Sequence, residues 1–183
     1  VITPVILVLM AGRDHLIWLL FSEAFRPAER LLQIQLLGDL FKVIAWAIGL
    51  PILASGRTRL HIGLDLTFYV SWILLVELAT RQWGEIGASV GFTAYNALMC
   101  VVYLVVIRHA MGLTLDRRNL RLAGQSLAAV IAAMVVARTN LLIRVPSTFA
   151  ILVAWTMLSV QRDEWKTVLR ILRDRKSTRL NSS

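Results

Sequence analysis

Long apolar stretches separated by short polar breaks dominate the pattern along the chain. A helix of about 20 apolar residues crosses the hydrocarbon core of a membrane and satisfies its own backbone hydrogen bonds there. The stretches are too long and too uniformly apolar for the alternating strands of a membrane barrel. The pattern therefore predicts an all-α, polytopic transmembrane helical bundle of about six segments. Their approximate bounds are 2–21, 27–54, 60–82, 85–107, 122–137 and 145–160.

The first segment is interrupted by Arg13, Asp14 and His15. We expect its first part to be the end of a spanning helix whose start is missing. Its second part is expected to lie at the membrane interface, with Trp18 as an anchor. Pro27 is well placed to open the second helix, because proline is favoured at the first helical position.

Both ends of the chain suggest a fragment. The chain starts in an apolar run without an initiator methionine, and residues 176–183 are polar and aperiodic, as in a non-native tail. Residues 161–175 are amphipathic and predict an interfacial helix. We therefore expect residues 1–175 to form one transmembrane lobe with an incomplete first helix, five full spans and this amphipathic tail helix.

Lys and Arg outnumber Asp and Glu by 20 to 11, which gives a net charge of +9. Basic residues between apolar segments set membrane orientation and contact anionic lipid headgroups, so the excess indicates membrane lipids rather than nucleic acid as partners. Twelve basic residues fall on one predicted side and six on the other, so the richer side and the C-terminus are predicted to be cytoplasmic. The richer side holds Arg57, Arg59, Arg108, Arg117, Arg118, Arg121, Arg162, Lys166, Arg170, Arg173, Arg175 and Lys176, and the other holds Arg13, Arg26, Arg30, Arg81, Arg138 and Arg144.

Asp39 and Lys42 are the most informative polar residues, because both lie inside the second apolar segment. Ionisable side chains at membrane depth are expensive and by default mark functional sites. With Gln35 one turn before and Trp46 one turn after, the four residues form one stripe on a helix face. Such a stripe suits a hydrated cavity that handles a sugar or phosphate group. The alternative is an internal Asp39–Lys42 salt bridge that only holds helices together.

The third segment adds weaker candidates. Asp65 lies about one turn into its helix, and Tyr69 and Trp72 continue its face, which fits either a cavity lining or a solvated helix end. Glu77 lies four residues before Arg81, a spacing that favours a local ion pair.

Small and mildly polar residues recur at helical spacing along the fourth segment. Such residues let membrane helices approach and hydrogen-bond, so helix packing is the favoured interpretation and a cavity lining is the alternative. They are Ser89, Thr93, Asn96, Cys100 and Tyr103. Gly87 and Gly91 form a GxxxG pair, which also predicts close packing.

No motif for a nucleotide site, a metalloprotease or a serine hydrolase occurs, and no break is long enough for a catalytic domain. His15, His61 and His109 are scattered near segment ends, and Cys100 is the only cysteine. We therefore expect no enzymatic activity, cofactor or metal. Energy coupling is expected to use an ion gradient of H+ or Na+, with a carboxylate such as Asp39 titrating or binding the cation.

Several short motifs follow one another in an order seen in one transporter family. A short turn at residues 21–25 precedes a helix with the pattern Gln-x-x-Gly-Asp-x-x-Lys from Gln35 to Lys42. A basic turn with glycine follows at residues 54–59, and residues 83–88 enter a later helix. Over Leu16–Met111 the chain resembles the lipid-linked oligosaccharide (O-antigen type) flippases of the multidrug/oligosaccharidyl-lipid/polysaccharide exporter superfamily.

This resemblance implies helices seven to twelve of a twelve-helix protein with two six-helix lobes around a central cavity. Members move undecaprenyl-diphosphate-linked glycans across the bacterial inner membrane in polysaccharide biosynthesis, including that of lipopolysaccharide. The resemblance places Gln35, Asp39 and Lys42 near the glycan or diphosphate path, with Lys42 supplying positive charge. Because the N-terminal lobe is absent from this sequence, we expect the chain to need that lobe as a partner for alternating access.

Two other classes stay open at this point. A membrane-embedded enzyme of envelope biosynthesis would need His, Asp and Arg clustered on loops at one face, and the sequence shows no such cluster. A scaffold without a transport path predicts that Asp39 and Lys42 face a neighbouring helix and are fully paired.

Overall fold

The computed structural model describes residues 2–20 and 28–159. These residues form five helices, and each of them is long and apolar enough to cross a membrane. The predicted all-α transmembrane bundle is therefore confirmed. The helices are α1 Ile2–Leu20, α2 Ala28–Ala54, α3 Thr58–Met111, α4 Arg117–Val136 and α5 Leu141–Ser159. Pro27, the amphipathic helix predicted for residues 161–175 and the tail at 176–183 lie outside the described residues.

Helix α3 is a hairpin of two antiparallel arms, which are residues 58–83 and residues 85–111. Its 54 residues would extend for about 80 Å as one straight helix, against a hydrocarbon core of about 30 Å. The backbone reverses at Gly84, where φ is 61° and ψ is −142°, a conformation open to glycine but strained for residues with a Cβ. The two arms correspond to the third and fourth predicted segments, so the described part of the chain holds six segments of membrane-spanning length.

Contacts between the arms follow the symmetry of this reversal. Tyr103 lies against Asp65, and Arg57, just before the first arm, donates a hydrogen bond to the carbonyl oxygen of Ala110. Each pair is placed almost symmetrically about Gly84, as the geometry of an antiparallel hairpin requires. We call the two ends of the bundle the Gly84 end and the Arg57 end.

Glycines near the reversal let the two arms touch. A Cβ built on Gly87 would overlap the carbonyl oxygen of Ala79, and one built on Gly91 would lie 3.0 Å from the Cα of Val76. The close packing predicted from the Gly87–Gly91 pair is therefore present, between the two arms of one hairpin.

Helix α2 lies at the centre of the bundle and packs on two sides. Its residues Ala45, Ile48 and Ile52 form one apolar cluster with Phe68, Met99, Cys100, Tyr103 and Ile107 of α3. Its residues Leu36 and Leu40 form a second cluster with Ile6, Leu7 and Met10 of α1 and with Val130 and Ala133 of α4. Other large apolar side chains on the outside of the bundle are exposed, as expected for a protein surrounded by lipid rather than water.

Helix α1 runs without a break through Arg13, Asp14 and His15, so the predicted interruption is wrong. The charges of Arg13 and Asp14 are paired with charges on other helices, and the backbone therefore has no need to leave the helix at this point. The C-terminal part of α1 lies at the Gly84 end, where Arg13, Glu29, Glu85 and Arg138 line a polar cavity of about 960 Å³. Three basic residues assigned to the poorer side, Arg13, Arg30 and Arg138, lie together around this cavity.

Candidate functional site

A cavity of about 490 Å³ lies between α2 and the two arms of α3. Seven of its fifteen lining residues are aromatic, Lys42 is the only Lys or Arg in the lining, and Asp65 is the only carboxylate. Small-molecule sites in proteins share this composition, with apolar and aromatic walls and a few polar groups that orient the ligand. The lining consists of Lys42, Trp46, Gly49, Leu50, Leu53, His61, Asp65, Phe68, Tyr69, Trp72, Phe92, Tyr95, Asn96, Met99 and Tyr103. We call this space the aromatic cavity.

The aromatic cavity brings together four of the six predicted site residues, which are Lys42, Trp46, Asp65 and Tyr69. Gln35 and Asp39 are outside its lining. Both lie on the same face of α2 as Lys42, Asp39 one turn and Gln35 two turns nearer the Gly84 end; Gln35 is exposed and Asp39 is half-buried. The predicted stripe is therefore one continuous face, of which only the part from Lys42 onward lines the cavity.

Lys42 lies between aromatic rings of two different segments. Its amine is 5.2 Å from the ring centroid of Trp46 on α2 and 6.0 Å from that of Phe92 on the second arm of α3. A cation in this range is attracted by the negative faces of the rings. Gly38 makes the arrangement possible, because a Cβ there would lie 2.7 Å from the Phe92 ring. The local sequence thus brings Phe92 close to α2, one turn before the lysine.

Asp39 and Lys42 do not form the salt bridge that was the alternative for this pair. Their charges interact at longer range. Within residues 2–20 and 28–159, however, no Lys, Arg or His side chain lies within 4 Å of the Asp39 carboxylate. The amine of Lys42 lies over the aromatic rings of the cavity instead. This geometry disagrees with the full pairing that the scaffold hypothesis predicts.

Asp65 marks the other polar position of the aromatic cavity, toward the Arg57 end. Its carboxylate is 3.4 Å from Nε2 of His61 and accepts a hydrogen bond of 3.4 Å from the hydroxyl of Tyr103. The ring of Phe68 packs against two tyrosines of the second arm, with its centroid 5.0 Å from that of Tyr103 and 6.4 Å from that of Tyr95. The face that continues from Asp65 to Tyr69 therefore lines the cavity, one of the two alternatives left open by the sequence.

The polar face of the second arm serves both packing and lining. Thr93 donates a hydrogen bond of 2.8 Å to the carbonyl oxygen of Ile34, and the thiol of Cys100 donates one of 3.0 Å to that of Phe41. These two contacts fasten the arm to α2. Asn96 is buried and contributes to the cavity wall, as does Tyr103. The predicted local ion pair of the first arm, between Glu77 and Arg81, is confirmed at 2.8 Å.

A cluster of charges around two buried arginines at the Gly84 end was missed by the sequence interpretation. Arg144 of α5 donates a hydrogen bond to Asp14, and Arg13 lies 3.2 Å from Asp14 and 3.7 Å from Glu29 of α2. Arg13 also donates a hydrogen bond of 2.7 Å to the carbonyl oxygen of Ala137 at the end of α4. The available signal was that arginines next to apolar runs must find partners at membrane depth. We call these residues the arginine cluster; it joins α1, α2, α4 and α5.

Comparison with known proteins gives one kind of match. No family model matches the chain, and no solved structure is significantly similar to it. The Lipid III flippases of Escherichia coli (strain K12) and Shigella flexneri are each 30% identical to it over 102 residues. The match covers 54% of this chain and 24% of each flippase, so the chain matches about a quarter of the length of these curated relatives. This similarity supports membership of a lipid-linked flippase family, as the motifs predicted.

Proposed function

We propose that this chain is part of a transporter that flips a lipid-linked oligosaccharide, of the O-antigen type, across the bacterial inner membrane for polysaccharide biosynthesis. The aromatic cavity is the observation that carries the proposal. It places one lysine and one carboxylate among aromatic rings inside a multi-pass bundle. Similarity to proteins named Lipid III flippase supports the same class, and it favours transport without chemical conversion over an envelope-biosynthesis enzyme.

In this proposal the chain is the C-terminal lobe, corresponding to helices seven to twelve, and an N-terminal lobe completes the transport path. The face of α2 with the exposed Gln35 and Trp46 and the half-buried Asp39 is where that lobe would add the opposite wall. Transporters with two such lobes bind substrate between them and rock one lobe against the other. The lipid tail would stay in the bilayer while the polar head moves along this face.

Lys42 would bind the diphosphate of the substrate. A lysine ammonium is a point charge that binds phosphate oxygens, and no carboxylate of the described residues lies within 4 Å of it to compete. Coupling to an H+ or Na+ gradient is assigned in this proposal to Asp39, whose carboxylate also has no close cationic partner among those residues. Both groups are poised at membrane depth, where unpaired charge generally serves transport.

Complementation of a bacterium that lacks its O-antigen flippase tests the proposal. The complete gene of this chain is expected to restore surface glycan, and Lys42→Ala is expected to reduce that glycan by about tenfold, the effect of about 1.4 kcal/mol of lost substrate binding. Lys42→Arg should retain most of the activity, because it keeps the positive charge. Asp39→Asn should also lower export, through the coupling step.

Arg81→Ala is the matched control at equal membrane levels, since Arg81 is an exposed cation outside the aromatic cavity. Its export should equal that of the wild type. A wild type that restores no glycan in several glycan backgrounds would overturn the proposed function. Full export by Lys42→Ala would remove the cavity from the transport path.

A further inference from the structure

We propose, resting on the proposed function, that the two ends of the aromatic cavity bind different parts of one ligand. Lys42 binds the anionic phosphate group. Asp65, with the aromatic residues that follow it on the first arm, binds the hydroxyl groups of the glycan attached to that phosphate. The cavity thus binds an anion together with its attached glycan, oriented with the glycan toward the Arg57 end.

Asp65 keeps most of its capacity to accept hydrogen bonds. A carboxylate has about four acceptor positions, and the two partners present, His61 and Tyr103, each lie 3.4 Å away. Contacts of this length are at the weak end of the range for hydrogen bonds. The Asp65 side chain is 44% exposed and faces the cavity. Neighbouring hydroxyl groups of a sugar are donors that would satisfy it better.

Aromatic side chains beside Asp65 provide the second element of sugar recognition. Tyr69 and Trp72 lie four and seven residues after Asp65 on the same helix face, and they are 64% and 39% exposed. Both line the cavity, and the exposed ring of Trp46 lines it from α2. A pyranose ring has an apolar C–H face that packs on an aromatic ring and a hydroxyl edge that hydrogen-bonds, so this combination fits a neutral sugar better than a second anion.

The distance between the two polar ends sets the minimum size of the ligand. Lys42 lies level with Phe92, and Asp65 lies level with Tyr103 on the same arm, so eleven residues of helix separate the two levels by about 16 Å. Along α2, Gly49 packs on the Tyr103 ring, and the seven residues from Lys42 give a separation of about 10 Å. Both values exceed the length of a diphosphate alone. A ligand that reaches both ends must therefore continue beyond its anion into the attached glycan.

Binding of two matched probes to the protein encoded by the complete gene of this chain, in phosphatidylcholine nanodiscs, tests this inference. The probes are farnesyl diphosphate and farnesyl diphosphate carrying neutral chitobiose, which have the same tail and the same anion. The wild type is expected to bind the chitobiose probe about tenfold more tightly, equal to about 1.4 kcal/mol. Asp65→Asn should abolish this difference and leave the Kd of farnesyl diphosphate unchanged. Lys42→Gln should weaken binding of both probes.

Two further variants test whether the effect of Asp65→Asn is specific to the sugar subsite. Glu77→Gln removes a carboxylate from the same arm outside the cavity, and it should retain the tenfold preference. Tyr69→Leu should lose the preference as Asp65→Asn does. The Tyr69 side chain is largely exposed, so its replacement should leave folding intact. Equal weakening of both probes by Asp65→Asn, or no change in either, would overturn the sugar subsite while leaving Lys42 and the proposed function in place. If the wild type binds neither probe, the proposed function itself fails.

Discussion

Arg144 shows what a single charged residue does inside this bundle. It is only 3% exposed, and its guanidinium is hydrogen-bonded to Asp14 on a helix 130 positions earlier in the sequence. Removing a guanidinium from water is unfavourable unless the charge is paired, and the arginine cluster contains two arginines and two carboxylates in mutual contact. The cluster therefore tolerates burial as a neutral unit.

Arg144→Met should lower the free energy of unfolding by about 1–3 kcal/mol, because it removes the nearest cationic partner of Asp14, whose partly exposed carboxylate is still screened in part by solvent. Denaturant unfolding in detergent micelles, followed by tryptophan fluorescence, measures the change. Combining Arg144→Met with Asp14→Asn should recover part of the loss, since the two residues are coupled.

The exposed Glu77–Arg81 pair is the control for this prediction. Arg81→Met also removes an arginine that is paired with a carboxylate, but this pair is exposed, so the free energy of unfolding should change by less than about 1 kcal/mol. Equal effects of the two substitutions would show that the arginine cluster does not hold the helices together.

At the scale of elements, the α3 hairpin depends on glycines that carry no side chain where its two arms touch. Gly87→Ala should lower the free energy of unfolding by about 1–3 kcal/mol, because its Cβ meets the rigid backbone of Ala79 rather than a flexible side chain. Gly63→Ala is the matched control on the same helix, since a Cβ there meets nothing within 4 Å. That substitution should stabilise by up to about 1 kcal/mol through helix propensity. Similar results for both variants would contradict the close contact of the arms.

The helix bounds show which parts of the fold are readable from sequence. Residues 83 and 84 were interpreted as a break between two apolar runs, and the reversal is at Gly84, where glycine permits the necessary backbone angles. Helix α4 begins at Arg117, about one turn before the apolar run at 122, because a helix continues through polar residues outside the hydrocarbon core. The break predicted at residues 13–15 of α1 is absent because the partners of those charges are on helices far away in the sequence.

For the candidate site, the shared helix face was predictable from the sequence, but the helix that covers it was not. Helix periodicity places Gln35, Asp39, Lys42 and Trp46 on one face, and the structure agrees. Periodicity does not specify which neighbouring helix covers which part of that face. The approach of Phe92 to Gly38 decides this, and it encloses Lys42 while leaving Gln35 outside the cavity.

At the scale of the whole molecule, the distribution of basic residues predicts the orientation. Of the six basic residues assigned to the poorer side, Arg13 and Arg144 are buried in the arginine cluster and do not lie in a loop. Removing these two leaves four against twelve, which strengthens the prediction that the Arg57 end is cytoplasmic.

Labelling of single cysteines tests this orientation. In a Cys100→Ala background, Thr139→Cys at the Gly84 end should react with a membrane-impermeant maleimide on intact spheroplasts, whereas Thr114→Cys at the Arg57 end should react only after lysis. Both threonines are exposed in connections between helices, which makes them a matched pair. The reverse labelling pattern would show that the C-terminal side lies outside the cytoplasm.

The reversal at Gly84 also bears on how the chain is made. One non-helical residue joins the two arms of α3. The connection is therefore too short for the first arm to span the membrane while the second arm stays in water. In the orientation predicted from the basic residues, Arg81 and Glu85 are translocated at the tip of the hairpin. We therefore expect residues 58–111 to enter the membrane during biosynthesis as a single unit, after the second arm has left the ribosome.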